Sequence, residues 1–262
     1  MNTVLLAIIS VAVMGVICSV LLSVASKVMS VENDERVIRL RACLPGTNCG
    51  VCGFSGCDGY AEALALGDTA PNLCPPGGEA AHNQISEVLG ISVGEGIEKT
   101  AIVHCLGDSK TAGDKMEYVG IDTCFAAQHL YGGQGACTFG CIGFGDCAGV
   151  CPVGAICIED KLARVDRRKC TGCGLCVKAC PTGIISIEME PVNVAVLCNN
   201  TEKGAKLKGK CSKGCIGCMK CVKECPCEAI AVSESLATID YTKCSGCGKC
   251  ADVCVKKCII KS

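Results

Sequence analysis

Cysteines recur through this chain in tight blocks. Cys170, Cys173, Cys176 and Cys180-Pro181 form one, and Cys215, Cys218, Cys221 and Cys225-Pro226 another, both spaced C-x2-C-x2-C-x3-C-P. With 29 cysteines in 262 residues, the sulfur must serve disulfides, zinc or iron–sulfur centres, and spacing decides among them. Disulfide frameworks belong to small exported domains, cysteines two or three residues apart rarely bridge each other, and an odd total cannot pair completely. Zinc sites use separated C-x2-C pairs or recruit histidine, but His82, His104 and His129 belong to no cysteine block. At the observed spacing three cysteines hold one iron–sulfur cubane and the cysteine before proline reaches a second.

Aromatic residues make up 3% of the chain and Trp is absent. Few large side chains are available for a conventional core, so small modules organised around inorganic centres are expected, with ligation supplying the folding energy. With a net charge of −1, nothing argues for a nucleic-acid binder, which needs a strongly basic face.

From Asn2 to Ser26 no residue is charged. A helix of that length is roughly 37 Å long at about 1.5 Å per residue, enough to span a bilayer with some tilt. Ser23-Val24-Ala25 resembles a signal cleavage site, but no Lys or Arg precedes the apolar run, and the run exceeds a normal signal core. Lys27, Arg36, Arg39 and Arg41 follow it, which by the positive-inside rule puts the remainder in the cytoplasm, a reducing compartment suited to thiolate ligands. Cys18 within the span reads as a small apolar residue.

Beyond a short helix expected over 32–42, Cys49, Cys52, Cys57 and Cys74-Pro75 make one closed four-cysteine site. Helices are expected over 58–66, with Asp58 as N-cap, and over 79–89, ended by Gly90. The chain then reads Cys137-x3-Cys141-x5-Cys147-x3-Cys151-Pro152, with Phe144 where a ligand normally falls, so Cys137 is expected to replace it. In two-cluster ferredoxins the cysteine before proline ligates the other cluster. That rule groups Cys137, Cys141 and Cys147 with Cys180, and Cys170, Cys173 and Cys176 with Cys151. In the last block it groups Cys215, Cys218 and Cys221 with Cys254, and Cys244, Cys247 and Cys250 with Cys225. Val255 stands where proline is usual. Short strands are expected at 155–158 and 183–187, with Cys157 turned into packing. Cys227 and Cys258 lie beside complete frames, and Cys43 precedes the first motif as a bystander.

Cys105, Cys124, Cys198 and Cys211 remain, the number one further centre requires, though structural thiols would account for them equally. The count is therefore five 4Fe-4S clusters, or six. No G-x-G-x-x-G follows a predicted strand and no G-x4-G-K-[ST] occurs, so nicotinamide chemistry belongs on another chain, and no residue here is assigned a catalytic role. The lysine-rich stretch 203–213 reads as a solvated loop, or as a basic lure for an acidic ferredoxin.

An apolar N-terminal span, then Cys49-x2-Cys52-Gly53-x2-Gly56-Cys57 with a later Cys74-Pro75, then ferredoxin blocks, resembles the B subunit family of Rnf complexes over nearly the whole chain. The doubled ferredoxin block is similar to the anaerobe type. The resemblance implies an α+β chain: a transmembrane helix at 1–28, a small helical 4Fe-4S domain at 29–95, a connecting segment at 96–136, a two-cluster ferredoxin module at 137–191, a connector at 192–214 and a second module at 215–262. It also implies a translocase subunit on the cytoplasmic side of the cell membrane. Such a subunit takes electrons from soluble ferredoxin and hands them to integral membrane and flavin- or NAD-binding partners that pump Na+ or H+. A membrane-anchored polyferredoxin serving another reductase without a pump, and a zinc-stapled scaffold, are the rival readings.

Overall fold

The computed structural model describes residues 2–28, 34–91 and 98–261. The first helix, α1, is Asn2–Val28, and its side chains from 11 to 25 are exposed. Among the described residues no helix is long and apolar enough to cross a membrane; within α1 the side chains are described without interruption only from 11 to 25.

A three-helix unit follows. Helix α2, Glu35–Ala42, starts where the Asp34 carboxylate accepts from the Arg36 N–H at 2.9 Å, and the expected start at Glu32 lies outside the described residues. Helix α3, Cys57–Leu66, is preceded by Gly56, so Asp58 is inside the first turn rather than at the cap; there its carboxylate pairs with Arg41 at 2.6 Å. Helix α4, Gly78–Leu89, ends on Gly90 at φ 68, the left-handed closure that favours glycine. Leu40, Tyr60, Leu64 and Ile85 are wholly buried between these helices.

The rest of the chain repeats one plan twice. In the first copy β1 (Lys99–Val103) pairs antiparallel with β4 (Ile185–Met189). The hairpin of β2 (Ile156–Glu159) and β3 (Leu162–Val165) lies between them in sequence. In the second copy β5 (Val194–Val196) pairs with β8 (Ile259–Lys261), and β6 (Ile230–Ser233) with β7 (Leu236–Ile239). Both hairpin turns place two consecutive residues at positive φ, Asp160 and Lys161 in one, Glu234 and Ser235 in the other, as a type I′ turn demands. The segments read as connectors thus contribute β1 and β5. Each closes its module's second sheet by pairing with a strand far along the chain.

Short helices carry the cysteines: α5 (Cys124–His129), α6 (Asp146–Gly149) and α7 (Leu175–Ala179), then α8 (Gly204–Leu207), α9 (Lys220–Lys223) and α10 (Lys249–Asp252). Gly145, Gly174, Met219 and Gly248 precede α6, α7, α9 and α10 in the same left-handed conformation, the mark of an internal duplication. Helix α8 falls inside the lysine-rich stretch expected to be a loop, with Leu207 buried. Cys157 points outward, against expectation: Ile156 takes the buried side of β2, and alternation sends the next side chain to solvent. The two copies are fastened by His104, whose Nδ1 donates to the Val196 carbonyl at 2.7 Å while Nε2 lies 2.8 Å from Ser186 Oγ.

Candidate iron-sulfur centres

Cys49, Cys52, Cys57 and Cys74 come together in the three-helix unit. Asn48, at φ 46, folds its side chain back so that Oδ1 accepts the Cys57 N–H at 2.8 Å. The Tyr60 hydroxyl donates to the Ala70 carbonyl at 2.8 Å and accepts from the Leu73 N–H at 3.2 Å, pinning the segment that delivers Cys74. Burial raises the Cys74 thiol, and the neighbouring Cys57, Cys52 and Cys49 push the same way.

In the first module Cys151, Cys170, Cys173 and Cys176 line one cavity, floored by Ala101, Ile156 and Ile187. Backbone N–H groups aim at its sulfurs: Ala155 at Cys151 (3.3 Å), and Ala101 and Gly172 at Cys170 (3.3 and 3.5 Å). Gly172 sits at φ 64 so close to β1 that an added Cβ would stand 2.5 Å from the Lys99 Cβ. A second cavity is lined by Cys124, Cys141, Cys147 and Cys180. Asp146 assembles it: one carboxylate oxygen accepts the Cys124 N–H at 2.9 Å and the other the Phe125 N–H at 3.0 Å, holding the start of α5 against α6. Burial pushes Cys147 up to about 11, with Cys124 and Cys180 adding to it.

Cys105, Cys137, Cys198 and Cys211 line a third and larger cavity at the junction of the two copies. The Gly107 and Cys141 N–H groups donate to Cys105 (3.3 and 3.4 Å), and the Cys215 N–H to Cys198 (3.2 Å). Burial pushes Cys105 and Cys198 each up to about 11.

In the second module Cys215, Cys218, Cys221 and Cys254 line a cavity whose wall includes Cys258. Cys225, Cys244, Cys247 and Cys250 repeat the arrangement of the first module, with N–H donors from Ala229 to Cys225 (3.3 Å) and Gly246 to Cys244 (3.4 Å). Cys244 and Cys225 act on Cys250, adding to the rise that burial gives its thiol.

These surroundings fit a multi-iron core. Among the described residues no three Cys, His, Asp or Glu side chains converge closely enough for a single ion; the cysteines instead ring apolar cavities. Thiols pushed up to about 11 by burial and by one another become thiolates only where a cationic core offsets both effects. The N–H groups directed at their sulfurs are the hydrogen bonds that tune such a core.

Residues 44–76 match the family described as "Putative Fe-S cluster", and residues 163–186 match the 4Fe-4S binding domain family. Over 260 residues the chain is 42% identical to the B subunit of the Na(+)-translocating ferredoxin:NAD(+) oxidoreductase complex of Acetobacterium woodii, covering 99% of this chain and 78% of that one. It is 40% identical to the B subunit of the ion-translocating oxidoreductase complex of Methanosarcina acetivorans, covering 94% of each. With the B subunit of the proton-translocating ferredoxin:NAD(+) oxidoreductase complex of Clostridium ljungdahlii it shares 41% identity, covering 98% of this chain and 91% of the relative. The chain belongs to the B subunit family of Rnf complexes. It is an iron–sulfur electron-transfer subunit built from 4Fe-4S binding domains.

Within this Rnf B subunit the grouping of cysteines differs from the sequence expectation at one exchange. Cys124 stands with Cys141, Cys147 and Cys180, and Cys137 stands with Cys105, Cys198 and Cys211. The physical reason is Asp146, which captures the α5 start and brings Cys124 to the slot that Phe144 leaves empty, while Phe144 packs on Tyr118 with ring centroids 5.4 Å apart. Thr123, whose hydroxyl accepts the Ala126 N–H at 3.1 Å, is the signal for this in the sequence: an N-cap immediately before a cysteine. Cys18, Cys43, Cys157, Cys227 and Cys258 fall outside the six sets. Cys43 donates to the Arg39 carbonyl.

Proposed function

We propose that this subunit takes electrons from reduced ferredoxin on its second module and relays them to integral membrane and flavin- or NAD-binding partners that couple the transfer to Na+ or H+ translocation. One observation carries the proposal: six four-cysteine sets are gathered in a single chain of the Rnf B family. A bound 4Fe-4S centre supplies a one-electron store whose potential depends on its hydrogen bonds and solvent exposure. The chain's own residues present the thiolates, direct N–H groups at them and keep water out with Ile, Val and Ala side chains. The six sets proposed as ligands are those grouped above by shared cavity or mutual influence.

Helix α1 is proposed to cross the cell membrane once, leaving the modules on the cytoplasmic side. The support is the charge-free run from Asn2 to Ser26 and the basic residues Lys27, Arg36, Arg39 and Arg41 after it.

Charge supports the second module as the ferredoxin face. Residues 215–262 carry seven lysines against five acidic residues, and the connector just before them adds Lys203, Lys206, Lys208, Lys210 and Lys213 against Glu202, whereas residues 1–197 carry 13 basic against 20 acidic. Around the cavity of Cys218, which is exposed, stand Met219 (45% exposed), Val255 (58% exposed), Lys220 and Lys256. The matching positions of the first module are Asp146, Pro181 and Thr182 for Lys220, Val255 and Lys256. An apolar centre with a basic rim suits an acidic electron carrier, steering encounter electrostatically.

The test is Lys220→Glu/Lys256→Glu in the full chain, purified anaerobically, with reduction by ferredoxin followed by stopped flow against ionic strength. Slower reduction with a flatter salt dependence is expected, at unchanged iron content. Wild-type rates and salt dependence in the variant would rule out this face.

A further inference from the structure

Cys258 occupies a position that the duplication makes comparable within the chain. It lies four residues after Cys254, as Ile184 lies four after Cys180, and each pair opens into the equivalent cavity of its module. Ile184 is 1% exposed and Cys258 2%, so both are packed away from water. An isoleucine suffices for packing at this place. The thiol puts a hydrogen-bond donor at a position where the first module has an aliphatic side chain.

Its neighbours are sulfurs. Cys258 Sγ lies 3.5 Å from Cys254 Sγ, and Cys215 lines the same cavity. In the first module the corresponding ligand candidate, Cys180, has a hydroxyl beside it instead, Thr182 Oγ1 at 3.4 Å. Lys256 replaces that threonine in the second module, so without Cys258 no such side-chain donor would sit there. The four-cysteine set is complete without Cys258: Cys215, Cys221 and Cys254 match Cys141, Cys147 and Cys180 in position, and Cys218 stands where Phe144 leaves the slot that Cys124 fills in the first module.

We infer that Cys258 is a potential-setting residue, donating its S–H to the ligand sulfurs of the centre held by Cys215, Cys218, Cys221 and Cys254 rather than binding iron. The inference rests on that ligand set, proposed above. Reduction adds negative charge to a cluster and its sulfurs, so a donor stabilises the reduced form more than the oxidised one and raises the potential. Burial strengthens the effect, because no water competes for the S–H in a low-dielectric site. The centre nearest the proposed ferredoxin face is thereby tuned by a thiol where its counterpart in the first module has the Thr182 hydroxyl.

The experiment uses the full chain, isolated anaerobically, with iron and labile sulfide assays and a potentiometric titration followed by EPR. Cys258→Ile places the first module's residue at this position and Cys258→Ala guards against a packing artefact. Both are expected to keep the wild-type iron content while one component of the titration moves to lower potential. At a fixed ambient potential its reduced-to-oxidised ratio should fall about threefold to tenfold, tenfold being about 59 mV for one electron. Cys258→Ser, which keeps a donor, is expected to restore the position of that component. Unmoved potentials in both apolar variants would overturn the inference. So would loss of one centre's iron from both, which would make Cys258 a ligand; a change in the ligand set itself shows in iron content, and a failed tuning role shows only in the potential.

Discussion

Exchanging Cys124 for Cys137 between two centres can be tested by counting iron in paired substitutions. Six centres of four iron predict about 24 iron per chain. Removing two ligands of one centre empties that centre alone, whereas removing one from each of two centres disturbs both. Cys105 and Cys137 line the same cavity, and Cys124 lines another. Cys105→Ala/Cys137→Ala should therefore fall to about 20 iron, and Cys105→Ala/Cys124→Ala toward about 16, at four per centre. The local cost is bounded by the structure. Losing the Cys105 sulfur leaves the Gly107 and Cys141 N–H groups without their acceptor, on the order of 1–3 kcal/mol for each donor that water does not reach. The remaining five centres should stay loaded. Iron and labile sulfide after anaerobic purification give the counts, with EPR at full reduction as a check on centre number. The reverse order, about 16 for the first pair and about 20 for the second, would refute the structural grouping and restore the one spacing suggests. A wild-type chain with about 20 iron would make the junction cysteines structural thiols.

Asp146→Ala should cost about 2 kcal/mol, because two N–H groups of α5 lose a charged acceptor; loss of one centre's iron at lower denaturant than wild type would register it. Gly172→Ala combines a left-handed φ of 64 with a Cβ 2.5 Å from Lys99, so at least about 2 kcal/mol of stability should go, and an unchanged melting temperature would contradict the close packing of β1. Burial holds the Tyr60 hydroxyl at about 12, above its ordinary 10. A group whose folded value is raised stabilises the fold fully below the unfolded value and ceases to as pH rises through the folded one. The three-helix unit should thus weaken by up to about 2 kcal/mol between pH 10 and 12, and Tyr60→Phe should flatten that pH dependence in denaturant titrations.

What is legible in the sequence is whatever lies close along the chain. The C-x2-C-x2-C frames at Cys170, Cys215 and Cys244 carry their own geometry, since three ligands on one loop and helix turn need no distant partner. The α4 stop at Gly90 is equally local. Cys124 and Cys137 are not separable by spacing, because a carboxylate 22 residues from Cys124 decides which cavity it reaches. The contributions of β1 and β5 stay hidden for the same reason: β1 finds its partner more than eighty residues away, and a five-residue strand leaves no periodic trace of that pairing. Cys157 misleads because the cysteine blocks around it suggest sulfur turned inward, while plain strand alternation turns it out.

The junction cavity draws Cys105 and Cys137 from ahead of the first module's other ligands along the chain, Cys124 apart, and Cys198 and Cys211 from behind them. During synthesis, its donors become complete only once the chain has emerged past Cys211, by which time every cysteine of the first module and of the three-helix unit is already available. Maturation should therefore run from the amino end, with this centre filled after its upstream neighbours. A chain that stalls between Cys198 and Cys211 would hold three thiols of an unfinished site, Cys105, Cys137 and Cys198, a chemical signature by which an incomplete subunit differs from a finished one.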